Sequence, residues 1–414
     1  MPSRYRKLRI ALGAIGPGLF LIGYNIGTGS IVTMATSGAA FGMSLFWTVA
    51  LSCVFTYVLM VAYGQVTLVT GQTALANFRS AFPRFRIGDL LGLYIMTALI
   101  IGEILSLIGI MGIVSELLQE GSRLLVGGRG YSTLSITVVL VALLYALLWY
   151  GRYKLFEKLL TVIVIFMAFS FIVVFILVRP NLGVILQGLV PRIPSGPGAL
   201  HLIAAMAGTT VSAAVFLIRS TVVAEKGWTV DNLAQEKRDA FVSASMMLFL
   251  SGIIMAVSAG TLFVMGLRLE NTVELIQLFE PLGGEVAAFI LILGISAAGF
   301  STAFPIVLIA PWLIADFTGR PRDMRSPLFR ILIFVAVLFA FAMQFLDERP
   351  PAVMVFSQAF QALILPAVVI PILILINRRD VMRSYTADSR LNAGLVAAFL
   401  FSLMTAYFAV AELR

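Results

Sequence analysis

A single cysteine, Cys53, and a single histidine, His201, are all that this chain of 414 residues has of the side chains that build disulfide frameworks and zinc cages. One thiol cannot cross-link the chain to itself, and one imidazole beside it cannot complete a Cys/His metal cluster. Charge is scarce as well: 12% of residues are Asp, Glu, Lys or Arg, about half of what soluble domains carry. No nucleophile with a matched base and no phosphate-cradling glycine loop in a soluble context is found, so an enzyme is not expected. No loop is long enough for a soluble domain, and no low-complexity segment interrupts the chain.

Apolar side chains fill the space, at 60% of the sequence. Crossing a bilayer takes about 20 such residues in a row. Runs of that length occur at 9–34, 42–66, 90–115, 132–150, 155–178, 199–224, 240–266, 286–315, 328–346, 352–376 and 392–411. The expected class is therefore an all-α integral membrane protein of about 11 transmembrane helices, in one domain over residues 1–414. The basic start followed by an apolar run resembles a secretory signal only superficially. The run is too long and lacks a small-residue cleavage site, and is expected to stay in the mature protein.

The net charge of +9 follows topology. Arg4, Arg6, Lys7 and Arg9, then Arg79, Arg84, Arg86, Arg152, Lys154, Lys158, Lys226, Lys237, Arg238, Arg320, Arg322, Arg325, Arg330, Arg378, Arg379, Arg383 and Arg390 fall in segments of one parity. Only Arg123, Arg129, Arg179, Arg192, Arg268, Arg349 and Arg414 fall in the other. By the positive-inside rule the N-terminus is cytoplasmic and the C-terminus outside, in what is expected to be a bacterial inner (plasma) membrane. The partners expected are the bilayer and a small ion or small molecule, and not nucleic acid.

Two charges sit deep within spans, Glu103 in the third and Arg219 in the sixth, where each costs at least a few kcal/mol unless paired or hydrated. They could form a buried pair that fixes packing, or Arg219 could extend toward the cytoplasm. Alternatively Glu103 exchanges a proton, or the two gate an aqueous path. Glu116, Glu225, Glu285 and Asp316 lie near span ends. The 17 methionines are spread along the spans as apolar filling.

Two segments read as helices that stop and restart: Gly27-Thr28-Gly29-Ser30 in the first span and Gly208-Thr209-Thr210-Val211-Ser212 in the sixth. Small residues also serve close helix contacts, so either segment alone is ambiguous. Together, five spans apart, they match an inverted repeat of five plus five helices, with broken backbone lining a midplane site. The repeats would span about 9–178 and 199–376, with 392–411 added outside them.

Gly16-Pro17-Gly18 before the first break and Ser37-Gly38-Ala39 after it, Thr70-Gly71, Ser296-Ala297-Ala298-Gly299, Ser357-Gln358 with Leu365-Pro366, and Asn377-Arg378-Arg379-Asp380-Val381-Met382 lie in order along the chain. In these pieces the sequence resembles the Nramp (natural resistance-associated macrophage protein) metal transporters. The resemblance implies a LeuT-like fold with broken helices 1 and 6 and, as in typical members, proton-coupled secondary transport of divalent metal ions, with no resident cofactor. It also exposes departures. Where the family has Asp-Pro-Gly-Asn and Met-Pro-His at the breaks, this chain has Gly27-Thr28-Gly29-Ser30 and Ser212-Ala213-Ala214. A further family histidine on the sixth helix is Arg219, the third-span aspartate is Glu103, and Ser106 stands where a second acid is usual.

The carboxylate and thioether ligands are thus replaced by hydroxyls, an amide and backbone carbonyls, which suit hard ions better than soft ones. One expectation is a divalent cation, Mg²⁺ or Mn²⁺, held by Thr28, Ser30, Ser212 and Gln358 within a site that also includes Gly27, Gly29, Thr209 and Thr210. A second is a small anion or zwitterion such as an amino acid, its carboxylate on the N–H groups of 27–30. A third is a sensor that has lost its site.

Overall fold

The structure is a computed structural model and describes residues 27–81, 87–150, 153–225, 227–320, 323 and 325–412. The opening of the first span with Gly16-Pro17-Gly18, and Arg4, Arg6, Lys7, Arg9, Arg84, Arg86, Arg152, Lys226, Arg322 and Arg414, lie outside the described residues, as do the side chains of Lys154 and Lys158.

Twelve main helices follow one another among the described residues: α1 (Thr28–Phe41), α2 (Phe46–Thr70), α3 (Ile87–Val126), α4 (Thr133–Tyr150), α5 (Tyr153–Val178), α6 (Ala199–Thr210), α7 (Ala213–Glu225), α8 (Leu233–Gly260), α9 (Gly284–Thr318), α10 (Pro327–Leu338), α11 (Pro350–Leu375) and α12 (Ser389–Ala411). Among the described residues there is no strand, as expected where lipid leaves only internal hydrogen bonding for the backbone. Ten helical segments among the described residues are long and apolar enough to cross a membrane, the first of the eleven expected spans being described only from residue 27 onward.

The ends carry recognisable stops. Gly71 closes α2 at φ +69°, a left-handed conformation that a side chain would strain, and its N–H reaches Thr67 O. At the start of α10, Ser326 accepts from the Phe329 N–H with Pro327 in the first turn, and Asp388 accepts from Leu391 N–H to open α12.

The third span is longer than its apolar run suggests. α3 continues to Val126, 40 residues or about 60 Å at 1.5 Å per residue, against a hydrocarbon layer of about 30 Å. Hydropathy marks where lipid ends, whereas the helix goes on in the charged segment, where Glu120 and Arg123 pair one turn apart.

Burial orders the bundle. In the apolar window of the α6–α7 span 94% of residues are buried, against 22% for α4 and for α5. The interrupted span is therefore central, and α4 and α5 turn most of their surface outward. Against it pack α1, α2, α11 and α12, with small residues permitting close approach.

Candidate functional site

The two interruptions meet. α1 begins at Thr28 with Gly27 as an extended N-cap, and no side chain caps its first turn. Its first-turn N–H groups carry the partial positive charge of a helix start. In the sixth span only Val211 and Ser212 leave the helix, because α6 runs through Gly208, Thr209 and Thr210. The break is thus shorter than the sequence suggests. Across it the hydroxyls of Ser30 and Thr209 lie 3.0 Å apart in hydrogen-bond contact.

Gly208 is helical and serves close packing: a Cβ there would stand 1.9 Å from the Gln358 carbonyl oxygen on α11. Gly27 and Gly29 are spacers as well. A Cβ at the first would meet Thr302 Oγ1 at 2.3 Å, and at the second the Gln358 amide nitrogen at 3.0 Å.

A cavity of about 40 Å³ opens at this junction, lined by Gly27, Gly29 and Ser30 from the first break, Thr209 and Ser212 from the second, Glu103, Ser106 and Ile110 from α3, Thr302 and Ile306 from α9, and Gln358 and Gln361 from α11. Glu103 supplies the one carboxylate among these lining residues. Its Oε1 accepts from Gln361 Nε2 at 2.9 Å. The Gln358 amide N–H₂ is directed to Ser106 Oγ and Ser357 Oγ, each at 3.2 Å, and to Met354 Sδ at 3.5 Å. The sulfur nearest the cavity therefore sits behind the Gln358 amide and is not among the lining groups. Among the described residues, no three of His, Cys, Asp or Glu come together.

Six of the eight residues expected at the site line the cavity, and two do not. Thr28 turns its hydroxyl to α9, donating to Ile295 O at 3.4 Å, and packs where a Cβ on Gly299 would meet it at 2.8 Å. It packs against α9 and does not line the cavity. Thr210 lies outside the cavity lining, and its carbonyl accepts from Thr56 Oγ1 on α2 at 2.9 Å.

Arg219 and Glu103 are also separated. Arg219 is fully buried and donates from Nε to Glu236 Oε1 at 2.7 Å and from Nη2 to Asp239 Oδ2 at 2.9 Å, both on α8. A Glu103–Arg219 pair, one of the alternatives left open by the sequence, is not what holds Arg219, which is tied into an ion triad with Glu236 and Asp239. Gly64 on α2 makes room for that triad, since a Cβ there would fall 2.2 Å from Glu236 Oε1.

Residue types alone did not mark Gln361, Thr302 and Ser106 as parts of one wall. The available signal was Gln358-x-x-Gln361, two amides one helical turn apart in an otherwise apolar span.

The two sides of the cavity differ. Toward the N-terminal ends of α6 and α11 lies a vestibule of about 460 Å³ lined in part by Thr36, His201, Arg268, Glu270 and Arg349. On the other side, a void of about 20 Å³ is walled mostly by apolar groups such as Leu99, Leu217, Ile218 and Trp312. The short helix Ala74–Ala81 is bound there: Thr73 Oγ1 donates to Asp316 Oδ1 at 2.8 Å and Ser220 Oγ accepts from Ala74 N–H at 3.0 Å. Arg79 Nε meets Asp89 at 2.7 Å while its guanidinium lies 4.7 Å from the Phe317 ring centre.

Residues 18–412 match the family described as Nramp, natural resistance-associated macrophage protein-like. A protein named divalent metal cation transporter MntH from Deinococcus radiodurans is 24% identical over 410 residues, covering 95% of this chain and 89% of that one. A protein of the same name from Pectobacterium carotovorum is 24% identical over 384 residues, covering 91% and 88%. Among solved structures, a histidine-to-alanine mutant of the manganese transporter of Eremococcus coleocola superposes with a TM-score of 0.71 at 17% identity, covering 99% of this chain and 88% of that one. At that identity the likeness shows the fold: all-helical, membrane-spanning and LeuT-like.

Proposed function

Because this chain belongs to the Nramp family, we propose that it is a secondary transporter whose substrate is a hard divalent cation, Mg²⁺ or Mn²⁺, and that Glu103 supplies the negative charge for that ion. The relatives named as divalent metal cation transporters support transport of a divalent metal. The reading rests most on Glu103 lining the cavity between the two breaks. An anionic substrate would meet that carboxylate as a like charge, which argues against a small anion.

Size argues the same way. About 40 Å³ holds about three waters at 10–15 Å³ each, fewer positions than the five non-hydrogen atoms of glycine. It suits an ion that keeps part of its water, as Mg²⁺ does. The ligand set is then the Glu103 carboxylate, the Gln358 carbonyl oxygen and the hydroxyls of Ser30, Thr209 and Ser212, all oxygen. Soft metals find no sulfur in the wall.

Glu103 is also the group through which a proton exchanges, since it is the one titratable side chain among the lining residues. We further read the chain as a transporter and not an enzyme, in a bacterial plasma membrane with the N-terminus cytoplasmic, built as repeats over about 9–178 and 199–376.

The test is flux into proteoliposomes with Mg²⁺, Mn²⁺ and a panel of amino acids, with and without a proton gradient. At about 4 Å and an effective dielectric of about 20, one carboxylate attracts a divalent ion by about 8 kcal/mol before desolvation. A surplus of about 3 kcal/mol makes the expected loss in Glu103→Gln about a hundredfold, with the proton dependence lost too. Amino-acid uptake without metal flux would reverse the reading, and absence of both would favour a non-transporting sensor.

A further inference from the structure

We infer that Gln361 is a direct oxygen ligand to the transported cation and the residue that sets its preference for hard over soft ions. This rests on the cation reading of the cavity and adds a ligand that neither the break motifs nor the Ser357-Gln358 pair contains.

Three observations carry it. Gln361 lines the cavity together with Glu103 and Gln358 while being 3% exposed. Its amide orientation follows from chemistry: Nε2 lies 2.9 Å from Glu103 Oε1, and an ionised carboxylate accepts only, so the N–H₂ end must face it and the carbonyl end must face away. That carbonyl oxygen, Gln361 Oε1, is buried and has no hydrogen-bond donor among the described residues. A buried acceptor left so is costly, and a cation in the cavity removes the cost.

The backbone favours the arrangement. Gly102, next to Glu103, leaves the space the amide occupies, since a Cβ there would lie 3.1 Å from Gln361 Nε2. On α11, Gln358 and Gln361 are one turn apart and share a face. Two amide oxygens and one carboxylate form a set that a hard cation prefers, with no thioether among them. An amide that merely steadied Glu103 would affect every cation alike, whereas a ligand changes their order.

The experiment reads initial uptake of Mg²⁺, Mn²⁺ and Cd²⁺ by proteoliposomes containing the full chain, wild type against Gln361→Met and Gln361→Leu. Both side chains keep the volume of glutamine, and methionine also offers a soft sulfur. In Q361M the Cd²⁺ to Mg²⁺ ratio of kcat/KM is expected to rise about tenfold or more, whereas Q361L raises KM for Mg²⁺ without a gain for Cd²⁺. A ratio in Q361M within about twofold of wild type, or equal losses for all three ions, overturns the assignment. In the wild type, a preference for Cd²⁺ over Mg²⁺ of about tenfold removes the all-oxygen set and the assignment with it. Absence of any saturable divalent flux in wild type defeats the cation reading itself, whereas wild-type flux with an unaltered ratio in Q361M defeats only the role of Gln361.

Discussion

Replacing Gly208 by alanine gives a sharp test of how the cavity is held. The added Cβ would lie 1.9 Å from the Gln358 carbonyl oxygen and 3.0 Å from the Ala362 nitrogen, where ordinary contact begins at 3.4 Å. Both obstacles are backbone atoms, so no side chain can swing aside. Helices α6 and α11 must separate by about 1.5 Å, which as core overpacking costs about 1–3 kcal/mol. The same separation withdraws Gln358 from the cavity wall. Misplacement of a binding group by about 1 Å costs on the order of a hundredfold, so divalent uptake in G208A is expected to fall by that factor per folded molecule. Proteoliposome flux, normalised to monodisperse protein by size exclusion, measures it. Gly121→Ala is the control, since its Cβ would meet only an Ile292 methyl at 3.3 Å, which can give. Wild-type KM and rate in G208A would refute the packing argument and the part of Gln358 in the wall.

Two further outcomes follow from the residues the structure moved. Thr28→Ala removes a long bond of 3.4 Å to Ile295 O and should leave ion KM within about twofold, whereas Ser30→Ala or Ser212→Ala, each removing a neutral oxygen ligand, should raise it about three- to tenfold. The uptake curves of the three variants decide, and T28A as the worst of them would return Thr28 to the ligand set. Gly64→Ala pushes into Glu236 and should lower the melting temperature of the solubilised protein by several degrees, because disturbing a buried ion pair costs up to about 3–5 kcal/mol. In a Glu236→Ala background the same change should cost less than about 0.5 kcal/mol, since the obstructing carboxylate is gone. Additive losses in the double variant would mean that Gly64 and the triad are not coupled.

Much of the architecture was legible in the sequence, because apolar length maps directly onto spans. The meeting of the two breaks was legible for the same reason: Gly27-Thr28-Gly29-Ser30 and Ser212 occupy equivalent places in two halves. What the pattern could not supply was direction. Thr28 and Ser30 are near neighbours of similar chemistry, yet one faces α9 and the other Thr209, a difference set by helical phase at a cap. Gly208 carries the signature of a break and of a close contact equally, and only the distance to Gln358 separates them. The fate of Arg219 depended on Glu236 and Asp239, which look like a helix start near the membrane surface until α8 brings them against α7. Glu103 was visible as an intramembrane acid, whereas its entry into the cavity wall was a matter of reach.

The Arg219 triad also fixes which parts of the molecule travel together. Breaking it exposes uncompensated charge at about 3–5 kcal/mol, while parting the Ser30–Thr209 hydroxyl contact costs about 0.5–1.5 kcal/mol. The bundle therefore has a weld and a seam. The half-helix α7 is joined to α8 through buried charge, and the hydroxyl contact between the two breaks is the weaker of these two joints.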